Sequence, residues 1–222
     1  DWIIGRLETF GVAPLQNGDY RAAFETPDFS GRQIEGTNIL AVIDGRRGQD
    51  APVIVMIHGF SFSLESWDDW ADALSANYRV VRMDLPGHGL TNCLEGERIG
   101  TGQFVETVDA VTKALGIEKF TLAGNSMGGG VTLHLLNRHP DRFKKAVLMG
   151  PVGAPFEPTV GLTKGWEFYK DPSQEALEYL ITKFLYDPSL LGDDIANIAA
   201  QRFNNVMKDE IRVQFEAMFS GG

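Results

Sequence analysis

The segment FTLAGNSMGGG, residues 120–130, carries the strongest structural signal in this 222-residue chain. Its first four residues are apolar or β-branched, as in a buried strand, and a helical pattern follows from Met127 to Arg138. Between the two, Gly124-Asn125-Ser126-Met127-Gly128 matches G-x-S-x-G, a tight strand-to-helix turn that lifts a serine hydroxyl clear of a sheet. We therefore predict a nucleophile elbow in which Ser126 is the nucleophile.

The segments around this turn alternate between strand and helix patterns. Apolar or β-branched runs predict strands at residues 53–57, 79–83, 120–123 and 146–149, with helical stripes between them. The first helix is expected to begin at Ser66, with Asp69 three residues later, and to end at Asn77. Its apolar face is expected to include Trp67 and Trp70. Repeated strand–helix units indicate a parallel sheet covered by helices, so the predicted fold class is α/β.

The two ends of the chain have different patterns. Residues 1–30 are poorly patterned, and residues 33–44 suggest paired strands that turn near Glu35–Gly36. After Pro151 strand-like runs disappear and helical stripes replace them. These stripes contain Leu177, Leu180, Ile181 and Phe184, and later Ile211, Phe215 and Met218. We interpret residues 1–151 as an α/β core and residues 152–222 as a helical lid.

Two further motifs follow predicted strands. His58-Gly59-Phe60 ends the run VIVMI, at the position where a loop can supply one backbone N–H of an oxyanion hole. The expected donors are the amides of Phe60 and Met127, while His58 is expected to anchor the loop by hydrogen bonding. The turn DLPGHG, residues 84–89, follows the next strand, and Asp84 and His88 are expected to be structural there.

Composition excludes several classes of function. A net charge of −10 and a pI near 4.8 argue against nucleic acid and against an anionic membrane surface. The single cysteine, Cys93, excludes a disulfide framework and a thiolate metal site. No apolar run reaches membrane-spanning length and no signal peptide opens the chain, so a soluble, cytoplasmic protein is expected. The first residue is Asp1 rather than Met, which is compatible with removal of an upstream segment.

A serine nucleophile needs a histidine base and a carboxylate, which follow the serine in chain order in this kind of fold. Only His134 and His139 follow Ser126. At 1.5 Å per residue they lie about 12 Å and about 20 Å along the helix, too far to reach the hydroxyl. The segment after the next strand, residues 149–153, has no carboxylate. The chain is thus expected to be a fragment, a protein of which only part is represented, or a degenerate homologue. The first two are favoured. If it ended at Gly222, the open sheet edge would predict aggregation or completion by a partner chain in a homo-oligomer.

With these motifs in place, residues 33–151 resemble the α/β-hydrolase superfamily. Gly124-Asn125-Ser126-Met127-Gly128-Gly129, followed by Leu148-Met149-Gly150-Pro151-Val152-Gly153, is similar to the meta-cleavage-product hydrolases. Lid segments 184–191, 201–203 and 215–219 agree with that resemblance. It implies cleavage of a carbon–carbon bond in a small-molecule 2-hydroxy-6-oxo-hexa-2,4-dienoate, without metal or organic cofactor. It also implies that Arg202 contacts the dienoate end of the substrate and that Asn125 orients the same region.

Two alternatives remain open at this point. That subfamily usually follows its His-Gly with a Ser/Gly-Gly-Pro-Gly loop, whereas this chain has Phe60-Ser61-Phe62-Ser63. This loop and the DLPGHG turn look more like general esterases, so a carboxylesterase acting on small acyl esters is the nearest enzyme alternative. The missing histidine leaves a non-catalytic binding homologue as the alternative outside enzymes.

Overall fold

The computed structural model describes residues 21–27, 33–43, 51–89, 91, 99–153, 155, 157–192, 194–209 and 212–213. The chain divides into two compact units, Asp1–Gly153 and Ala154–Gly222. The first unit contains the sheet and the second is helical. The boundary expected after residue 151 lies close to this division, and the role of the second unit as a lid stays a prediction.

The described strands of the first unit are β1 (Arg21–Pro27), β2 (Gln33–Ile43), β3 (Val53–Ile57), β4 (Arg79–Met83), β5 (Phe120–Asn125) and β6 (Phe143–Met149). They form one sheet in the order β1-β2-β4-β3-β5-β6. The pairs β1–β2 and β2–β4 are antiparallel. The strands β4, β3, β5 and β6 run parallel to one another, as strand–helix repetition predicts.

Helices connect the parallel strands of the first unit. They are α1 (Asp68–Leu74), α2 (Thr101–Ala114) and α3 (Met127–Arg138). Helix α3 packs against β5 and against α2. The α/β class predicted from the sequence is confirmed. No helix in the described part of the chain is both long and apolar enough to cross a bilayer.

The centre of the sheet is buried because its strands are almost continuously apolar. In β3, Ile54 and Met56 face one core cluster, and the alternate residues Val55 and Ile57 are also buried. The members of that cluster come from β3, β4, β5 and the segment around α1: Ile54, Met56, Trp67, Ala71, Val80 and Ala123. Three neighbouring parallel strands thus end side by side, and their carboxyl ends carry the motifs found in the sequence.

The predictions for two segments, residues 33–44 and the first helix, are partly wrong. Residues 33–43 form one continuous strand, β2, rather than two strands turning near Glu35–Gly36. This strand pairs with β1, from the poorly patterned segment, and with β4. Ser66 does not cap a helix, since a 3₁₀ turn spans Leu64–Trp67 and α1 begins at Asp68. The Ser66 hydroxyl instead donates to the Ser63 carbonyl oxygen at 2.7 Å. Helix α1 ends at Leu74, before Asn77, and Trp70 is exposed.

Strand β6 occupies the last position in the sheet order. Its interior residues 144–148 are exposed, although residues 146–149 are apolar. Val147 and Leu148 are 40% and 39% exposed.

The second unit contains α4 (Val160–Trp166), α5 (Gln174–Phe184) and α6 (Asp194–Val206). Ser173 caps α5, because its hydroxyl oxygen accepts from the Ala176 N–H at 3.0 Å. Helices α5 and α6 share a core, and Leu177, Leu180 and Ile181 are buried in it as the stripe predicts, whereas Phe184 is exposed. The predicted stripe of Ile211, Phe215 and Met218 lies outside the described residues.

Candidate active site

Ser126 lies at the turn between β5 and α3 in a backbone conformation that L residues rarely adopt. Its φ is 51° and its ψ is −112°. The Ser126 N–H donates to the Met149 carbonyl oxygen at 2.9 Å, and the Val152 N–H donates to the Ser126 carbonyl oxygen at 3.0 Å. Backbone at the end of β6 thus holds the strained turn in place. This is the geometry that G-x-S-x-G requires of an elbow.

Close backbone contacts explain the two glycines of the motif. A Cβ on Gly124 would lie 2.3 Å from the Gly128 carbonyl oxygen. A Cβ on Gly128 would lie 2.3 Å from the Ile57 carbonyl oxygen. A side chain at either position would collide with backbone, which is why the motif has glycine at both. The amino end of α3 is therefore pressed against the end of β3.

The segment His58–Leu64, called the β3 loop from here on, runs beside the elbow. A Cβ on Gly59 would lie 3.3 Å from the Ser126 Cβ and 2.8 Å from the Asn125 Oδ1. The Phe62 N–H donates to the Gly59 carbonyl oxygen at 3.3 Å, which closes a turn. Ser61 has a φ of 58°, and Phe60 is not among the residues with positive φ, so this is a type II turn.

Both predicted oxyanion donors belong to segments that border Ser126. Met127 is the first residue of α3, so its N–H lies in the first turn, where no carbonyl of the helix accepts it. The partial positive charge at the amino end of the helix adds to the attraction for an anion. Phe60 follows Gly59 in the β3 loop. Such an arrangement can stabilise negative charge on an oxygen next to the serine, and the donor roles stay predictions.

His58 is a buried, neutral anchor of the β3 loop. Its Nε2 accepts from the Leu85 N–H at 2.9 Å. Because a backbone N–H can only donate, the ring proton is on Nδ1, which donates to the Gly59 carbonyl oxygen at 2.8 Å. Burial, with a smaller contribution from His88, lowers the pKa of His58 to about 3. The expectation that His58 anchors the loop is confirmed.

His88 lies against His58, with ring centroids 5.0 Å apart. Burial lowers the pKa of His88 to about 4. Its Nδ1 is 3.1 Å from the Pro86 carbonyl oxygen, and its ring packs edge-on against Phe60 and Phe104. Both rings therefore pack in the interior as uncharged groups near neutral pH.

None of the four histidines of the chain is placed to deprotonate Ser126. His58 and His88 are buried in the contacts just described, and His134 is exposed on α3. The Nε2 of His139 lies 2.9 Å from the Asp109 Oδ2, at the opposite end of the sheet. Among the described residues no group of three or more His, Cys, Asp or Glu side chains could hold a metal ion.

The two predicted substrate-binding residues lie in different units. Asn125 is the last residue of β5, directly before Ser126, and its side chain borders Gly59. Arg202 lies in α6 of the second unit and is half-buried. Burial lowers the pKa of the Arg202 guanidinium from its usual value. The elbow, Asn125 and the β3 loop thus come together within the first unit, and Arg202 belongs to the other.

Sequence reasoning missed two features of this site. Ser61 has the left-handed backbone of a type II turn, a position where glycine is usual, and no pattern in the sequence marks a serine there. Asp84 was expected to be structural. Its Oδ1 accepts from the Leu64 N–H at 2.7 Å, twenty residues away in the chain, so it contacts the β3 loop itself. The signal that could have found it is a carboxylate directly after a buried strand.

Comparisons with known proteins agree with this geometry. The model of the α/β-hydrolase fold family matches residues 52–178, more than half of the chain. The chain is 31% identical over 169 residues to the 2-hydroxy-6-oxo-2,4-heptadienoate hydrolase of Pseudomonas putida, covering 75% of this chain and 59% of that protein. It thus spans about three fifths of the length of this curated relative.

Two solved structures are similar over most of the chain. A serine hydrolase from the polyaromatic-hydrocarbon-degrading bacterium Cycloclasticus zankles is 52% identical, with a TM-score of 0.77, covering 91% of this chain and 71% of that one. The 2-hydroxy-6-oxo-6-phenylhexa-2,4-dienoate hydrolase of a Rhodococcus species is 33% identical, with a TM-score of 0.74, covering 90% and 71%.

Proposed function

Because this chain belongs to the α/β-hydrolase fold family, we propose that it is the nucleophile-bearing part of a hydrolase that acts through Ser126. The observation that carries the proposal is the strained backbone of Ser126 at the end of β5, with the β3 loop beside it. Backbone strain of this kind persists only where contacts with the surrounding structure hold it in place, and it is found mainly at active sites.

The proposed reaction is hydrolysis of a carbon–carbon bond in a 2-hydroxy-6-oxo-hexa-2,4-dienoate, a meta-cleavage product of aromatic degradation. Two similar proteins are named as hydrolases of substrates of this class. A third, at 52% identity, is a serine hydrolase from a bacterium that degrades polyaromatic hydrocarbons. Since the chain spans only part of its curated relative, the activity of the whole protein is a proposal.

In the proposed mechanism the dienol first becomes a keto tautomer. Either a water molecule or the Ser126 hydroxyl then adds to the distant carbonyl, and the Phe60 and Met127 amides stabilise the oxyanion. Cleavage leaves the electron pair of the broken bond on the dienol fragment, which takes up a proton. After addition of water the other fragment leaves as a carboxylic acid; after addition of Ser126 it stays as an acyl ester of the serine, which water then hydrolyses to the acid. Arg202 would bind the substrate carboxylate through two parallel hydrogen bonds, and Asn125 would orient the same end.

The mechanism also requires a general base and a carboxylate that orients it. The four histidines of these 222 residues do not supply the base, so the proposed triad partners come from outside this sequence. Activity is accordingly to be measured on the full-length protein. The proposed chemistry needs no metal or organic cofactor.

A carboxylesterase acting on small acyl esters is the second candidate, and the β3 loop favours it. The predicted donor amide belongs to Phe60, and Phe62 follows two residues later, so this loop has two aromatic residues where the dienoate hydrolases usually have small ones. Ester hydrolysis would use the same serine and the same two amides. The two candidates therefore differ in substrate and share their catalytic parts.

Location and assembly belong to the same proposal. A cytoplasmic location fits a chain with a single cysteine, Cys93. The homo-oligomer expected from the sequence depends on whether residues outside this sequence cover the edge of β6, so it stays a prediction. Light scattering of the full-length protein would test the assembly, and a monomer would contradict it.

The decisive experiment compares Ser126→Ala with the wild-type full-length protein. Wild type should turn over a coloured dienoate and react quickly with a serine-directed phosphonate, and Ser126→Ala should do neither. Ser75→Ala, at the carboxyl end of α1, is the matched control and should behave as wild type. Turnover of nitrophenyl esters alone would favour the carboxylesterase. No turnover and no phosphonate adduct in the wild type would favour the non-catalytic binding homologue.

A further inference from the structure

The β3 loop is closed by hydrogen bonds to two adjacent residues of the turn after β4. At the first residue of the loop, the His58 Nε2 accepts from the Leu85 N–H at 2.9 Å. At the last residue, the Leu64 N–H donates to the Asp84 Oδ1 at 2.7 Å. The dipeptide Asp84–Leu85 therefore fixes both ends of a loop whose middle carries Phe60.

The hydrogen bonds of Gly59 determine the direction of the Phe60 N–H. The Gly59 carbonyl and the Phe60 N–H belong to one peptide group, and no peptide bond among the described residues is cis. In a trans peptide the two groups point in opposite directions, so a fixed carbonyl fixes the N–H. The Gly59 carbonyl oxygen accepts from the His58 Nδ1 at 2.8 Å and from the Phe62 N–H at 3.3 Å. Donors on the carbonyl also polarise the peptide and strengthen its N–H as a donor.

The other end of the loop is fixed as firmly. Asp84 is buried, and a Cβ on Gly89, whose φ is +55°, would lie 2.2 Å from the Asp84 Oδ2, so the turn wraps closely around the carboxylate. The Arg82 Nη1 donates to the Leu64 carbonyl oxygen at 3.3 Å. Both backbone polar groups of Leu64 are thus bound by side chains at the end of β4.

These contacts carry one inference, which rests on the proposed function. We propose that His58 and Asp84 are positioning residues of the reaction: they hold the β3 loop so that the Phe60 N–H points to the oxyanion beside Ser126. Neither residue touches the substrate. Each acts through backbone, His58 through the Gly59–Phe60 peptide and Asp84 through Leu64.

The first test measures kcat and KM of Asp84 variants of the full-length protein on the substrate that wild type turns over. Complete loss of an oxyanion donor lowers kcat by about 10²–10³-fold. Asp84→Ala should displace the Phe60 N–H without removing it, so we expect kcat to fall by about 10–100-fold and KM to change less than about two-fold. Asp84→Asn keeps an acceptor oxygen for the Leu64 N–H and should recover most of kcat. Asp109→Asn is the matched control, a buried aspartate at the opposite end of the sheet, and should keep kcat while lowering the melting temperature.

The second test separates the two hydrogen bonds of His58. Asn at this position can keep an N–H donor near the Gly59 carbonyl oxygen. Gln has a longer side chain and can keep an acceptor oxygen near the Leu85 N–H. His58→Asn should therefore retain more kcat than His58→Gln, and His58→Ala should lose the most. In the wild type, ¹⁵N shifts should show the Nδ1–H tautomer of His58, and the Leu64 amide should exchange slowly with solvent and faster in Asp84→Ala.

Each outcome bears on the proposal. An Nε2–H tautomer, or an Asp84→Ala variant with full kcat and a rapidly exchanging Leu64 amide, would overturn the positioning role and leave the proposed function standing. A wild-type protein without turnover or phosphonate labelling would overturn the proposed function and this role with it. A kcat loss in Asp84→Ala that Asp84→Asn restores, with KM unchanged, supports the proposal.

Discussion

Replacing Gly128 by alanine tests whether the contact between α3 and β3 sets the geometry of the site. The added Cβ would lie 2.3 Å from the Ile57 carbonyl oxygen and 2.6 Å from the His58 carbonyl oxygen, where ordinary contact begins at 3.4 Å. Both neighbours are backbone, so no side chain can rotate away. The amino end of α3, with Ser126 and Met127, must move by about 1 Å, and misplacement of that size costs about 10²-fold in rate. We therefore expect kcat of Gly128→Ala to fall about 100-fold.

The assay is steady-state turnover by the full-length protein together with its thermal unfolding. Overpacking of this kind costs about 1–3 kcal/mol of stability, so the melting temperature should also fall. The control is Gly165→Ala in α4, where a Cβ meets nothing within 4 Å. Because alanine is the better residue in a helix, that variant should be as stable as wild type or more so. A Gly128→Ala protein with wild-type kcat and melting temperature would refute the argument.

Three further outcomes follow from the structure. Ser61→Gly should raise the free energy of unfolding by about 1 kcal/mol, since it relieves a left-handed non-glycine residue, and an unchanged denaturation midpoint would contradict this. Asp109→Ala should lower the free energy of unfolding by about 3 kcal/mol, because the buried carboxylate bonds Arg142 Nη1 at 2.6 Å; a loss below about 1 kcal/mol in urea unfolding would count against it. His58 and His88 have pKa values lowered by burial to about 3 and about 4, so the unfolded chain binds more protons below pH 6.5. Stability should therefore be complete above pH 6.5 and fall towards pH 4 by about 1.4 kcal/mol per pH unit for each ring, and a flat profile over that window would exclude the assignment.

The sequence predicted the central part of the first unit closely, because there local pattern and global fold agree. The bounds of Val53–Ile57, Arg79–Met83 and Met127–Arg138 match the structure residue for residue. In each of these segments the local sequence pattern suits the position that the segment takes in the fold. The strands buried on both faces are mainly apolar, and glycines occur where backbone approaches backbone. The elbow could be predicted for the same reason.

The failures occurred where long-range pairing or burial decides the outcome. Gly36 inside β2 resembles a turn signal in sequence, yet pairing with β1 and β4 keeps the strand continuous. Trp70 was expected on the buried face of α1, but the helix begins two residues later than expected and Trp70 is exposed. The contact of Asp84 with Leu64 joins residues twenty positions apart, and no local period encodes it.

The strain in the first unit indicates what these long-range contacts do. Ser61 and Ser126 are the two non-glycine residues with positive φ in the described part of the chain, and they lie in the two segments that form the candidate site. Strained backbone persists only when surrounding contacts cost more to break than the strain releases. For Ser126 those contacts come from the end of β6, and for the β3 loop they come from Asp84 and Leu85. The proposed positioning role of His58 and Asp84 is of the same kind: their hydrogen bonds would oppose relaxation of the β3 loop and keep the proposed donor amide oriented before any substrate binds.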